Sequence, residues 1–195
     1  MATKRIGIVG NGNVGRALAL GLKRAGHEVR AVGKDKVASG ETASWADVVI
    51  LAVPFGAIDD VVKEVGDALT GKTLVDVTNA LGPEMNLAVG FTTSGAEDLQ
   101  KKAPKAHVVK AFNTVFAQHM KTGHLGDRRL TAFVAGDDAR AKGIVLELAR
   151  GIGFDALDAG PLKNARLLEP LGYLNIQLGY VLKMGPEIGF TLLHG

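Results

Sequence analysis

Three glycines near the start of the chain are spaced in a way that suits phosphate chemistry. Gly10-Asn11-Gly12-Asn13-Val14-Gly15 fits G-x-G-x-x-G and follows the apolar run 6–9 without a gap. The pattern alone is weak in a chain with 26 glycines. Its weight comes from its place, directly after one strand and at the opening of a helix. There each glycine has its own role. Gly10 permits the tight turn, Gly12 lets the backbone approach a pyrophosphate, and Gly15 lets helix and strand pack closely. The unpaired N–H groups of the helix start then face the phosphates, aided by the helix dipole. The structural alternative is a glycine turn capped by Asn13 that binds nothing. In this context the motif predicts a dinucleotide site.

The end of the second strand bears on which dinucleotide it is. An NAD site usually places Asp or Glu there for the ribose hydroxyls. Here the strand ends Val32-Gly33-Lys34-Asp35-Lys36. Gly33 leaves space and Lys34 offers a cation to a 2′-phosphate, which favours NADP, with NAD possible. A small register shift would let Asp35 meet the ribose instead, and all three charges could equally be solvated loop residues. Other chemistry is sparse. No cysteine is present, which excludes disulfides, zinc ribbons, iron–sulfur clusters and a Cys nucleophile. The five histidines show no metal-ligand spacing. No Ser-His-Asp arrangement and no paired carboxylates stand out, so neither a metal site nor a catalytic side chain is expected.

The elements that must position this site alternate. Strands are predicted over 6–9, 28–32, 47–53, 73–77, 107–110, 131–135 and 154–157. Helices are predicted over 14–25, 57–69, 137–150 with Asp137 as N-cap candidate, and 162–184 with a kink at Pro170. The run 47–53 is apolar on both faces, as a buried parallel strand is. Together they predict an α/β, Rossmann-type doubly wound, mainly parallel sheet with a C-terminal helical extension. The segment 34–46, with Gly40 in its middle, leaves room for only a very short crossover helix or none. The 195 residues fit one domain, 1–195, with 161–195 as a helical segment for a substrate pocket or dimer contact. Residues 170–182 hold no Lys, Arg, Asp or Glu, but do hold Tyr173, Asn175, Gln177 and Tyr180. A helix without charge over three turns is buried in a core or a subunit interface, so a homodimer is expected.

Charge excludes some partners. The net charge of +3 comes from 23 Lys+Arg against 20 Asp+Glu, dispersed rather than gathered in the basic stripe that nucleic acid requires. Lys4-Arg5 precedes only four apolar residues before the glycines begin, too few for an export signal. No apolar stretch reaches a spanning length. No membrane partner is expected, and the cytoplasm is the expected compartment.

Beyond the glycine loop, further motifs run nearly end to end: Gly26-His27-Glu28, Val53-Pro54-Phe55, Lys110-Ala111-Phe112-Asn113-Thr114, Gly136-Asp137-Asp138, and DAGPLKNARLLE over 158–169. With these the chain resembles the coenzyme F420-dependent NADP oxidoreductase family, whose nucleotide domain also resembles that of the STEAP metalloreductases. The segment 158–169 and KAFNT are far more specific than the glycine motif. The resemblance implies that Asn11, Asn13 and Val14 line the pyrophosphate and adjacent ribose. Gly33 and Lys34 stand where the family usually has Gly-Ser-Arg, so a hydroxyl is lost and a planar fork becomes a point charge. Val53, Pro54, Phe55 and Ala57 would flank the cofactor, and Ala111, Asn113 and Thr114 would sit by the nicotinamide. Asn164 and Arg166 would reach toward the second substrate.

Each of these residues also has a structural reading. Val53-Pro54 could simply end a strand, and Phe55 could be core. Asn113-Thr114 could form a local turn, and Arg166 could pair with Glu169 at i, i+3. His119 and His124 are expected on the surface, without chemistry. The reaction implied is hydride transfer between NADP(H) and a flat acceptor such as coenzyme F420 or a flavin. The cofactors carry the chemistry and the protein supplies geometry and a dry site. Two alternatives compete: a truncated relative of β-hydroxyacid or imine dehydrogenases, which normally carry a large helical domain, and a non-catalytic redox-sensing dinucleotide module.

Overall fold

The computed structural model describes residues 2–82 and 84–193, so the last two residues of the 161–195 segment lie outside it. Strand β1 (Arg5–Val9) passes through the glycine turn into α1 (Asn13–Arg24), followed by β2 (Glu28–Val32), α2 (Lys36–Trp45), β3 (Val48–Leu51) and α3 (Ile58–Val65). Then come β4 (Thr73–Asp76), α4 (Gly95–Lys102), β5 (His107–Lys110), the short α5 (Ala117–Met120), a small hairpin of β6 (His124–Leu125) and β7 (Arg128–Arg129), and β8 (Thr131–Gly136). Helix α6 (Ala139–Ile152), β9 (Asp155–Asp158) and α7 (Ala165–Ile176) complete the order. Helix α7 continues as a π-helical turn, Gln177–Val181.

The seven-stranded sheet has the order β2-β1-β3-β4-β5-β8-β9. Its pairings are parallel except that of β5 with β8. Successive strand residues point to opposite faces, and β3 illustrates the result: Val48 and Ile50 enter one core, Val49 and Leu51 the other. The first core is closed by Leu18 and Leu22 of α1 and by Val145, Leu148 and Ile152 of α6. The second is closed by Ala43, Ile58, Leu99 and Ala165, from α2, α3, α4 and α7. The Rossmann-type sheet read from the sequence is therefore present. Strand order reverses between β1 and β3, and such a switch point is where doubly wound sheets bind ligands, at the carboxyl ends of the strands.

Several expectations need correction. The crossover between β2 and β3 is a ten-residue helix, not a vestige. The Asp35 side chain caps it, accepting the Ala38 N–H at 3.0 Å, and small residues, Ser39, Thr42 and Ala43, form its buried face. The N-cap of α6 is Asp138, whose carboxylate accepts the Ala141 N–H at 2.7 Å. Asp137 instead accepts the Leu162 N–H at 2.9 Å. Pro170 lies inside α7, but regular α-helix ends at Ile176 rather than at 184. His119 is buried, its ring Nε2 3.0 Å from the Pro186 carbonyl oxygen. His124 is half-buried, with Nδ1 2.8 Å from the Thr122 carbonyl. Among the described residues no helix is long and apolar enough to cross a membrane.

Candidate functional site

The glycine turn is built as its spacing predicts. Gly10 has φ +116°, and a Cβ there would overlap the Ala52 carbonyl that follows β3. A Cβ on Gly15 would overlap the Gly10 carbonyl oxygen. Gly12 differs: a Cβ there would meet nothing within 4 Å, so its missing side chain leaves open space rather than enabling a protein contact. The turn is tied at the switch point by Gly10 N–H to the Val32 carbonyl and Ala52 N–H to the Val9 carbonyl, both 2.8 Å.

Gly12 is the N-cap of α1, with no side-chain cap and no acidic residue in the first turn. By contrast α2, α4 and α6 are capped by Asp35, Ser94 and Asp138. Asn13, the cap in the alternative reading, accepts instead from Arg16 Nη2 at 3.3 Å. A twelve-residue helix thus presents uncapped amides and the positive end of its dipole to open space, the arrangement that takes a phosphate. Asn11, Gly12 and Asn13 are exposed, and Val14 is half-buried.

At the end of β2, Gly33 and Lys34 are exposed. The neighbouring charges are engaged elsewhere: Asp35 caps α2, and Lys36 pairs with Glu64 at 2.9 Å. Lys34 alone of the three has no partner among the described residues. After β3, Val53 and Phe55 are half-buried and pack against the second core. Pro54 is the N-cap of a 3-10 turn, Phe55–Ala57, that leads into α3.

Beyond β5 the backbone bends sharply, because Phe112 takes φ +65°. Its ring packs 5.6 Å from that of Phe154 in the first core. A non-glycine residue in this region is strained by about 1–3 kcal/mol and persists only where packing enforces it. The bend buries Ala111, Asn113 and Thr114. Asn113 Nδ2 donates to the Leu168 carbonyl at 2.8 Å and to Asn79 Oδ1 at 3.3 Å. Its Oδ1, however, has no partner among the described residues, and neither has the buried Thr78 Oγ1 just past β4. Such orphaned buried acceptors are rare; both lie past the carboxyl ends of the strands, on the same edge as the glycine turn. Thr78 stands at this candidate site, and no motif in the sequence points to it.

The C-terminal residues are placed less simply. Asn164 donates to the Ala159 carbonyl at 2.6 Å. Arg166 does not pair with Glu169. Its Nε and Nη2 form a two-point bridge to Glu97 of α4, at 2.9 and 2.7 Å. That contact holds the Glu97 carboxyl below the usual carboxylate range. Glu169 instead joins Lys110 and Asp76 in a buried ionic cluster. Lys110 Nζ lies 2.9 Å from Asp76 Oδ2 and 3.0 Å from Glu169 Oε1, and all three side chains are essentially inaccessible. Burial alone would lower the Lys110 pKa, but the two carboxylates more than reverse this and hold it above its ordinary value. No spacing rule pairs the two carboxylates, because they lie 93 positions apart, 169 against 76.

Comparison with known proteins places this geometry in context. The family model for NADP oxidoreductase, coenzyme F420-dependent, matches residues 5–80. The F420-dependent NADP reductase of Methanocaldococcus jannaschii is 30% identical over 185 residues, covering 89% of this chain and 79% of that protein. Metalloreductase STEAP3 of Rattus norvegicus is 33% identical over 180 residues, covering 86% of this chain but only 36% of its own length. The chain therefore spans about a third of that relative. A solved structure from Arthrobacter sp. FB24, named for a candidate F420-dependent NADP-reductase, superposes with a TM-score of 0.88 at 28% identity, covering 98% of this chain and 100% of its own.

Proposed function

We propose that this chain, which belongs to the coenzyme F420-dependent NADP oxidoreductase family, binds NADP(H) along the carboxyl edge of its sheet and passes a hydride between it and a flat acceptor such as coenzyme F420 or a flavin. The observation that carries this reading is a pairing on one edge. Uncapped amides of α1 face the open space at Gly12, and the orphaned oxygens of Thr78 and Asn113 stand at the ends of β4 and β5. The first suits a pyrophosphate and the second a group with N–H donors, as a nicotinamide carboxamide is.

In this reading Gly10, Gly12 and Gly15 shape the turn, while Asn11, Asn13 and Val14 line the pyrophosphate and ribose. Lys34, with Gly33 leaving room, takes the 2′-phosphate as a point charge. Val53, Pro54, Phe55 and Ala57 flank the bound cofactor, and Ala111, Asn113 and Thr114 hold the nicotinamide end. When bound, the nicotinamide supplies the redox chemistry itself, so orientation and exclusion of water are what the chain must provide. Asn164 and Arg166, at the start of α7, are engaged with the Ala159 carbonyl and with Glu97 on the side away from the glycine turn, and take no part in seating the acceptor. The exposed apolar residues Tyr180, Val181, Leu182 and Met184 form the contact of a homodimer.

The test is to mix purified protein with NADPH and, separately, F420 or FMN, and to follow loss of the reduced-nicotinamide absorbance. Turnover with either acceptor is expected. Tight NADPH binding without turnover would instead favour the redox-sensing module, and absence of binding would refute the reading outright.

A further inference from the structure

The cluster of Asp76, Lys110 and Glu169 has no part in binding or transfer as described, yet its construction is complete. The three N–H donors of Lys110 meet Asp76 Oδ2, the Thr78 carbonyl at 2.7 Å and Glu169 Oε1. Glu169 also accepts the first two amides of α4: Gly95 N–H at 2.9 Å on Oε2 and Ala96 N–H at 3.1 Å on Oε1. Asp76 Oδ1 accepts the Thr78 N–H at 2.9 Å. Withdrawing three charges from water is costly, and apolar residues of similar volume hold a core at least as well. The best-attested use of such groups is to fix the register of one element against another.

The elements fixed here are β4, β5, α4 and α7, and the register leads to the site. Three residues beyond Asp76 lies Asn79, and three beyond Lys110 lies Asn113. One turn beyond Glu169 lies Gly172, where a Cβ would stand 2.6 Å from Asn79 Oδ1 and 2.7 Å from Asn113 Nδ2. An apolar helix face can slide along its axis at little cost. A carboxylate bound to one ammonium and two amides cannot.

We propose that Glu169 is a positioning residue for hydride transfer: anchored by Lys110 and the α4 amides, it sets the height of α7 against Asn113 and so the seat of the acceptor beside the nicotinamide end. This rests on the proposed function, in which a flat acceptor meets the nicotinamide end held by Asn113.

Glu169→Gln tests it. Lys110 and Asp76 remain as a neutral pair, so the fold has no unpaired charge. The new NH₂ meets the Gly95 N–H, donor against donor, and the helix must shift. Misplacement by about 1 Å costs turnover about 100-fold, so kcat with F420 should fall about 10- to 100-fold while the NADPH dissociation constant stays within about twofold. Hydrogen exchange over 168–176 should quicken while that of β1 and α1 stays unchanged. Gly172→Ala displaces the same helix independently of any buried charge and should lower kcat likewise; because its methyl also meets Asn113, the NADPH dissociation constant is read on Glu169→Gln alone. An active wild type whose two variants keep full kcat overturns the proposal, as does loss of NADPH affinity in step with turnover in Glu169→Gln. A wild type that moves no hydride to F420 or FMN refutes the functional reading itself.

Discussion

The sharpest perturbation of the nucleotide site is Gly12→Ala. The residue has φ −80° and ψ −168°, which alanine adopts freely, and its new methyl would touch no protein atom. Alanine is a poorer N-cap than glycine but costs the unfolded chain entropy worth about 0.4–1 kcal/mol in favour of folding. These offset, and the melting temperature should move by no more than about 4 °C. Binding should respond very differently. The methyl occupies the space through which the backbone meets the pyrophosphate, and it pushes that group off at least two amide donors. At about 1.5–3 kcal/mol for each charge-assisted hydrogen bond, the loss is about 3–6 kcal/mol, or more than 100-fold in the NADP dissociation constant. Calorimetric titration beside a thermal melt measures both quantities on one sample. A folded Gly12→Ala protein that binds NADP as wild type does would refute the placement of the pyrophosphate. Gly15→Ala is the contrast: its methyl overlaps the Gly10 carbonyl, so stability and binding should fall together.

Other consequences are as testable. Lys34→Ala should weaken NADP by about 1–3 kcal/mol, toward the lower figure because the site is exposed, and leave NAD unchanged; equal weakening of both removes Lys34 from the 2′-phosphate. His27 is buried with Nε2 unpaired among the described residues, and that burial lowers its pKa. The unfolded chain therefore takes up a proton near pH 6.5 that the folded chain refuses, so stability is full above that pH and declines as pH falls toward the folded value. His27→Gln should flatten the slope of urea midpoint against pH below neutrality, and parallel slopes would contradict this account. Sedimentation should find a homodimer that Leu182→Glu, at a residue 66% exposed, converts to monomer; a wild type that stays monomeric when concentrated removes the contact.

Local signals are readable in the sequence, and signals spread along it are not. The glycine turn, the strands and their parallel order follow from spacing and from doubly apolar runs such as 48–51. Helix α2 is hidden because Gly40 weakens helical propensity and because its buried face is Ser39, Thr42 and Ala43, too small and polar to register as an apolar stripe. Helix α4 does carry a local start signal: Ser94 and Glu97 have the spacing of a capping box, and Ser94 Oγ accepts the Glu97 N–H at 3.2 Å while donating to its carboxylate at 2.8 Å. The ionic cluster is announced only by a lysine inside an apolar strand, between Val109 and Ala111. Its partners come from 76 and 169, and no local pattern joins them. For His119, polarity alone suggests solvent, whereas the tail supplies a carbonyl partner at Pro186.

The one strand pairing that breaks the parallel pattern has a consequence for the whole active edge. Because β8 runs against β5, and β9 follows β8, the chain leaves the sheet at the end remote from the glycine turn. Its last helix must therefore climb back up the flank, passing Lys110 at Glu169 and reaching Asn113 at Gly172. With β8 and β9 turned the other way, that helix would start at the rim and descend from it. A single inverted strand thus brings α7 up to the carboxyl edge beside Asn113 instead of leading it away from there.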